Sequence, residues 1–411
     1  MISLIYKIGQ LFNKTDFTNF SFKTFHFYII TFFLILNLVK CSVENNLKQN
    51  NHSPPSSVNN VDYYKAMNYY YKSTFEDYNI AQNYFERAIS KNPTFAIAYA
   101  MLSITNSRIG QYFFYKNQIK KANYYYYLAL NYAIYSLRLN SKLSKGYLAL
   151  ALYSRQIQNS NELVKYALKA IEINPNEHEA YAVLGDGYNC IFFDKYDNNK
   201  SIEYYKKSLS ISPKFIPSRY NLALLYYFSK DYKESIKHLE EAIKINSNID
   251  SFYYYLSLSY KEINECQKAI YYIQKAIGLS SANPYYYDLK GQIFFQMKNT
   301  EKAILFYEKA ININSNIPQF FINKGIAYKQ IKDYENSIDS YKKAIEIKPN
   351  YDLPHYELAI MFEIIKNYES AIKEYLIFYK LSNNDYQKKL AKEKIIKLFN
   401  FIKKVKLKNI D

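Results

Sequence analysis

Eight glycines in 411 residues are too few and too scattered for a phosphate-cradling loop, which argues against a nucleotide-binding enzyme. The histidines, His26, His52, His178, His238 and His355, have no second His or Cys at ligand spacing, so no metal site is expected. Cys41, Cys190 and Cys266 show no spacing that implies a disulfide framework, and Cys190 and Cys266 are read as free thiols in packing positions. Tryptophan is absent, and Arg87, Arg108, Arg138, Arg155 and Arg219 are the only arginines. No constellation of nucleophile, base and orienting group stands out, so the chain is read as non-enzymatic, without cofactor, metal or small-molecule substrate.

The net charge of +18 and pI near 9.3 raise the question of nucleic acid or an anionic surface. The basic residues are nearly all lysine and are spread along the chain, whereas a nucleic-acid footprint clusters on one face. Abundant Lys, Asn, Tyr, Ile and Phe match codon bias in an A/T-rich genome, and no nucleic-acid partner is expected. Tyrosine runs at 124–127, 253–255 and 285–287 resemble stacking platforms for bases. Successive residues of a helix point in different directions, however, so at least one ring of each run belongs to a core. Acidic residues sit mostly among lysines at helical spacing, as Glu240 and Glu241 do beside Lys237 and Lys244.

What the chain has in quantity is repetition. Five consecutive 34-residue units span 216–385, with a small residue at the eighth position of each: Ala223, Ser257, Gly291, Gly325 and Ala359. The twentieth holds Ser235, Ala269, Ala303, Ser337 and Ala371, and the twenty-seventh holds Ala242, Ala276, Ala310 and Ala344. Large residues at the eleventh position (Tyr226, Tyr260, Phe294, Tyr328, Phe362) fill the space beside the small ones. Apolar residues recur at spacings of three and four, so each unit reads as two short helices. Lys230-Asp231-Tyr232 and Lys332-Asp333-Tyr334 separate the two, with Asp as the cap of the second. The 34-residue period with these small positions resembles the tetratricopeptide repeat. That resemblance implies an all-α, right-handed superhelical solenoid of antiparallel helix pairs that binds other proteins or peptide segments.

Irregular units extend the array upstream. The expected organisation is nine units, at 62–95, 96–143, 144–177, 178–215, 216–249, 250–283, 284–317, 318–351 and 352–385. The first keeps only its second helix clearly, the second carries extra residues at 110–122, and the fourth has a longer turn at 194–200. The segment 386–411 places Ala391, Ile395, Leu398, Ile402 and Val405 on one face among lysines. It is read as a basic amphipathic capping helix, with an anionic membrane as the other possible surface for it.

The N-terminus carries its own signal. Residues 25–39 are apolar apart from His26, Thr31 and Asn37, and follow Lys7, Lys14 and Lys23. At 1.5 Å per residue this run makes a helix of about 22 Å, short of the roughly 30 Å hydrocarbon core. It therefore reads as the hydrophobic region of a secretory signal, within a targeting segment at 1–41. Leu38-Val39-Lys40-Cys41 resembles a bacterial lipoprotein signal with Cys41 as the lipidated residue, although Lys40 stands where a small residue is expected. An uncleaved signal anchor is the alternative. Residues 42–61 are polar, contain Pro54 and Pro55, and read as a disordered tether. Both readings attach the protein to a membrane through its N-terminus and place the repeats in an extracytoplasmic compartment, the cell envelope.

In the tetratricopeptide family the ligand lies along the concave face made by first-helix positions near five, nine and twelve. Those positions carry over to Tyr220, Leu224 and Tyr227; Tyr254, Leu258 and Lys261; Asp288, Gln292 and Phe295; Ile322, Ile326 and Lys329; Tyr356, Ile360 and Glu363. The expected peptide groove is apolar, with Lys329 as its cation, unless tighter winding buries part of the stripe. Lys329 and Asn323 are suggestive of a carboxylate clamp, and Asn221 and Asn323 are the only two asparagines at the sixth position. The expected function is a membrane-tethered scaffold for protein partners. The alternative is an accessory subunit that positions an envelope-building enzyme or its substrate.

Overall fold

The computed structural model describes residues 60–72, 74–189 and 197–408, the last four as backbone alone. The targeting segment, nearly all of the tether, Cys41 and Cys190 lie outside the described residues. Within those residues the regular elements are α-helices that pair in chain order. The irregular units contribute α1 (Val61–Tyr70) and α2 (Phe75–Lys91), α3 (Ala96–Tyr115) and α4 (Ile119–Leu139), α5 (Ser144–Gln156) and α6 (Ser160–Ile173), then α7 (His178–Asn189) and α8 (Asn198–Ile211). The regular units contribute α9 (Ile216–Phe228) and α10 (Tyr232–Ile245), α11 (Asp250–Glu262) and α12 (Cys266–Leu279), α13 (Pro284–Gln296) and α14 (Thr300–Ile313), α15 (Pro318–Gln330) and α16 (Tyr334–Ile347), α17 (Asp352–Ile364) and α18 (Tyr368–Leu381). A last helix, α19 (Asp385–Lys408), follows. The helix α1 was hard to see in the sequence because its buried stripe is only Asp62, Ala66 and Tyr70.

Each helix packs on its neighbours in the chain, and from α3 to α15 each first helix also touches the next first helix. Among the described residues second helices make no comparable contact with one another, so the stack forms a solenoid that curves with its first helices on the inside. The small positions hold the two helices of a pair together. A Cβ on Gly185, Gly291 or Gly325 would stand 2.5, 2.6 or 2.7 Å from the ring of Tyr205, Tyr307 or Tyr341. Where the second helix offers Leu239 or Ile273 instead of a ring, the first carries Ala223 or Ser257, and all four are buried. Ala359 beside the buried Tyr375 is the exception. Hydroxyls cross the same seam: Ser257 Oγ donates to the Ala269 carbonyl at 2.7 Å, and Ser337 Oγ to the Gly325 carbonyl at 2.9 Å.

The turn inside five of the units uses one residue twice, whereas Gln118 and Glu265 make no side-chain cap. In the unit at 216–249 the N–H of Asp231 donates to the Tyr226 carbonyl at 2.8 Å and that of Lys230 to Tyr227 at 3.0 Å, which closes α9 as a Schellman motif. The Asp231 carboxylate then accepts the Glu234 N–H and caps α10. Asp333 repeats both roles, and Asn159, Asn299 and Asn367 cap α6, α14 and α18. The residue before each cap lies in the left-handed region: Gln158, Lys230, Lys298, Lys332 and Lys366 have φ between 58° and 64°. A glycine-poor chain thus accepts a strained lysine where glycine is usual.

The C-terminal helix is a cap on the stack. Ala391, Ile395 and Leu398 of α19 pack against Ala371, Tyr375 and Phe378 of α18, and Lys394 bonds the Glu363 carboxylate at 3.0 Å. Lys332, exposed and at φ 64°, generates a test of the turn. Lys332→Gly is expected to raise the unfolding free energy by about 0.5–1 kcal/mol in urea titration, because the strain relieved exceeds the entropy glycine adds to the unfolded chain. A destabilised variant would contradict this account of the turn.

Candidate functional site

The inner face carries two interleaved features, a polar ladder and an apolar stripe. The ladder consists of carboxylates on first helices, each bonded to side chains of an adjacent unit. Asp186 on α7 accepts Arg155 from α5 at 2.5 Å, Asn221 from α9 at 2.8 Å and the Tyr205 hydroxyl from α8 at 2.7 Å. On α15, Lys329 bonds Glu357 of α17 at 2.5 Å, and Glu363 of α17 accepts Lys394 and the Tyr375 hydroxyl. The longest run crosses three units. Lys261 donates to Gln292 at 3.1 Å, Gln292 and Asn323 each donate to Asp288 at 2.8 Å, Gln319 donates to Asn323 at 2.9 Å, and Tyr351 donates to Gln319 at 3.0 Å.

Nearer the N-terminus the same face holds a denser charge cluster. Lys145 of α5 bonds Glu177 at 2.9 Å and Glu179 of α7 at 3.1 Å. Burial would raise the Glu179 carboxyl, but Lys145 and Arg108 hold it below the usual carboxylate range. Such a network fixes the register of neighbouring units more than it adds net stability, since the desolvation of each charge offsets much of its attraction.

The apolar stripe follows the ninth position. Leu224, Leu258, Ile326 and Ile360 are half-buried there, with Gln292 interrupting the row. Tyr227, Phe295 and Lys329 at the twelfth position are also half-buried, and burial pushes the Tyr227 phenol up to about 12. The fifth position departs from the expected lining. Ile322 is fully buried, against Tyr341 and Leu358, so it is not part of an open groove. Tyr220 and Tyr254 are half-buried and lean on the next first helix, with ring centroids 5.1 Å from Phe252 and 5.2 Å from Tyr286. Tyr356 packs 4.9 Å from Phe378. The superhelix winds tightly enough that position five joins units at Tyr220, Tyr254, Asp288 and Ile322, while position nine stays half-exposed.

The Lys and Asn pair suggested as a carboxylate clamp is engaged internally, Lys329 with Glu357 and Asn323 with Asp288. Both sixth-position asparagines, Asn221 and Asn323, donate to a carboxylate 35 residues earlier. That spacing, with 31 for Arg155 to Asp186 and Lys261 to Gln292, was the available sign of the ladder, being one repeat displaced to a helical neighbour. Among the described residues no group of three or more His, Cys, Asp or Glu is arranged to hold a metal ion, and no helix is long and apolar enough to cross a membrane. An open hollow of about 650 Å³ lined by Tyr253, Ile270, Tyr271 and Leu279 carries none of the ladder residues.

Family models of the tetratricopeptide repeat match 216–249 and 284–317, and a second model of the same repeat matches 318–351. The chain carries tetratricopeptide repeats. Solved structures similar to it include MamA, at 26% identity over 40% of this chain and 95% of that one, with a TM-score of 0.37. The APC/C hetero-tetramer Cut9-Hcn1 aligns at 14% identity over 82% of this chain and 75% of that chain, with a TM-score of 0.49. YrrB, a tetratricopeptide-repeat protein with an unusual peptide-binding site, aligns at 19% identity over 46% of this chain and 96% of that one, with a TM-score of 0.38. No curated protein matches the sequence.

Asp288 makes the ladder measurable. Its burial pushes the carboxyl up to about 6 from 3.8, against the N–H donors of Asn323 and Gln292 and the charge of Lys261. An acid raised on folding contributes its stability below the unfolded pKa and loses it as pH rises through about 6. Between pH 4 and 7 the wild type should lose roughly 2 kcal/mol more unfolding free energy than Asp288→Asn, at 1.36 kcal/mol per unit, because the unfolded carboxyl is already partly ionised at pH 4. Parallel curves for the two proteins would refute the assignment.

Proposed function

We propose that the protein is a non-enzymatic scaffold that holds a peptide segment of a partner protein along the inner face of its repeats. One observation carries the reading: Leu224, Leu258, Ile326 and Ile360 leave a half-exposed apolar row on a face whose charged groups are mostly paired. Apolar surface of this kind contributes about 25 cal/mol per Å² when covered, and the paired ladder does not compete for the ligand's polar groups. An amphipathic helix or an extended segment offering one apolar anchor per unit is the ligand that suits the row.

The N-terminal segment extends the proposal. Its apolar run at 25–39 followed by Cys41 supports attachment to a membrane, by a lipid on Cys41 or as a signal anchor, with the repeats displayed in the cell envelope. The scaffold then assembles its partner at that membrane.

A variant carrying Leu258→Gln, Ile326→Gln and Ile360→Gln changes only half-buried positions and should keep the helical circular dichroism of the wild type. In cross-linked purification from native membranes it should lose a partner that the wild type retains, by at least about tenfold for a loss of 1.4 kcal/mol. Removal of 1–41 should release the protein from the membrane fraction while leaving that partner bound. An unchanged partner set in the triple variant would refute the groove, and full-length protein recovered outside the membrane fraction would refute the tether.

A further inference from the structure

The second helix pair is the one that departs most from the repeat, and its departure has a regular form. The helices α3 and α4 contain 20 and 21 residues, seven more each than the 13 and 14 of a regular pair such as α9 and α10. The added residues repeat the seam one heptad further on. Ser103 Oγ donates to the Ala129 carbonyl at 2.6 Å, as Ser257 does to Ala269. Seven residues along, a Cβ on Gly110 would meet the Tyr126 ring at 2.6 Å and the Ala122 carbonyl at 3.2 Å, as one on Gly291 would meet Tyr307 and Ala303. The hairpin therefore runs about 10 Å past the standard unit as a packed extension.

Its tip has a distinctive chemistry. Residues 114–121 are all exposed, and they include Phe114, Tyr115 and Ile119 together with Lys116, Lys120 and Lys121. None of these lysines has a carboxylate partner among the described residues; Lys116 and Lys121 lie over the rings of Tyr112 and Phe113. No Asp or Glu occurs between Glu86 and Glu162, a span with ten Lys and Arg residues. On α2, Glu76 and Asp77 follow Phe75, whose ring is stacked 3.9 Å from Tyr112, but neither pairs with a lysine of the tip. The extended hairpin also adjoins the inner face, where the Tyr126 hydroxyl donates to Gln156 of α5 at 3.2 Å.

We infer that the α3–α4 tip is the acid-recognising end of the groove, and that the partner segment carries a run of Asp or Glu beside its apolar anchors. The inference builds on the groove proposed above. The anchors cover Leu224 and its row, while the carboxylates reach Lys116, Lys120 and Lys121, which the fold leaves without counter-ions. Exposed lysine pairs are individually weak, about 0.2–1 kcal/mol, so the tip acts mainly by selecting an acidic partner and speeding its approach.

The chain has no tryptophan, so Tyr115→Trp in the full-length protein reports on the tip alone. The probes are polyglutamate, phosphatidylserine vesicles and a single-stranded oligonucleotide, with Tyr386→Trp on the lysine-rich α19 as a control for overall charge. Polyglutamate should change the indole emission of the Tyr115→Trp protein more strongly than that of the Tyr386→Trp control. Adding Lys116→Glu, Lys120→Glu and Lys121→Glu together should weaken the response at the tip about tenfold or more. Circular dichroism confirms that the variants fold, and Ile119→Trp serves as a second reporter. In native extracts the lysine variant should also lose the partner that the groove variant loses. No response, an equal response in the Tyr386→Trp control, or a response to vesicles or oligonucleotide but not to polyglutamate overturns the inference. A partner lost by the groove variant but kept by the lysine variant overturns it while leaving the groove intact.

Discussion

How closely the two helices of a pair approach sets everything else in this stack. A glycine, alanine or serine at the eighth position lets the second helix lay a ring or branched side chain against the first helix's backbone. Tyr205, Tyr307 and Tyr341 face glycine, and as their rings lie a Cβ there would stand inside van der Waals contact, while Ala359 accommodates Tyr375. Close pairs fix the tilt of each unit, and the tilt brings successive first helices together along one side of the solenoid. The polar ladder and the apolar stripe are both consequences of that convergence.

Much of this was legible because the constraint is periodic. Small residues at positions 8, 20 and 27 recur at a spacing no other physical demand explains, and Asp231 and Asp333 announce their caps by type and place. The ladder was harder to see. Its members pair at spacings of 28, 31 and 35 residues and sit at different positions in different units, so no single column of the repeat displays them. Asp186 lies between Gly185 and Gly187, which pack on Tyr205 and Leu163, and its three donors come from three different helices. Ile322 was misplaced for a related reason. Local spacing puts it on the same face as Ile326, but the depth of each position depends on the winding between units, which periodicity within a unit does not contain.

The inner face divides labour between its two features. Paired carboxylates tie neighbouring units in register and leave few free charges, so what remains accessible is the apolar row and, at one end, the unpaired lysines of the long hairpin. An extended hairpin costs the solenoid little, because it repeats a seam the fold already uses, with Gly110 meeting Tyr126 and Ala122 as Gly291 meets Tyr307 and Ala303. Exposed aromatic and basic side chains gathered on such a rigid extension differ from lysines scattered over solvated faces. Position, more than net charge, separates a recognition element from compositional bias.

The most direct test of the account is a pair of internal deletions. Removing 291–324, a full period, joins Lys290 to Gly325 and keeps glycine at the eighth position of the hybrid helix. Removing 291–321 joins Lys290 to Ile322 and places a branched side chain where the second helix must approach. The first protein should retain wild-type helicity per residue and unfold cooperatively in urea, while the second should lose both. Equal behaviour of the two deletions would contradict the claim that close approach at the small positions governs the fold.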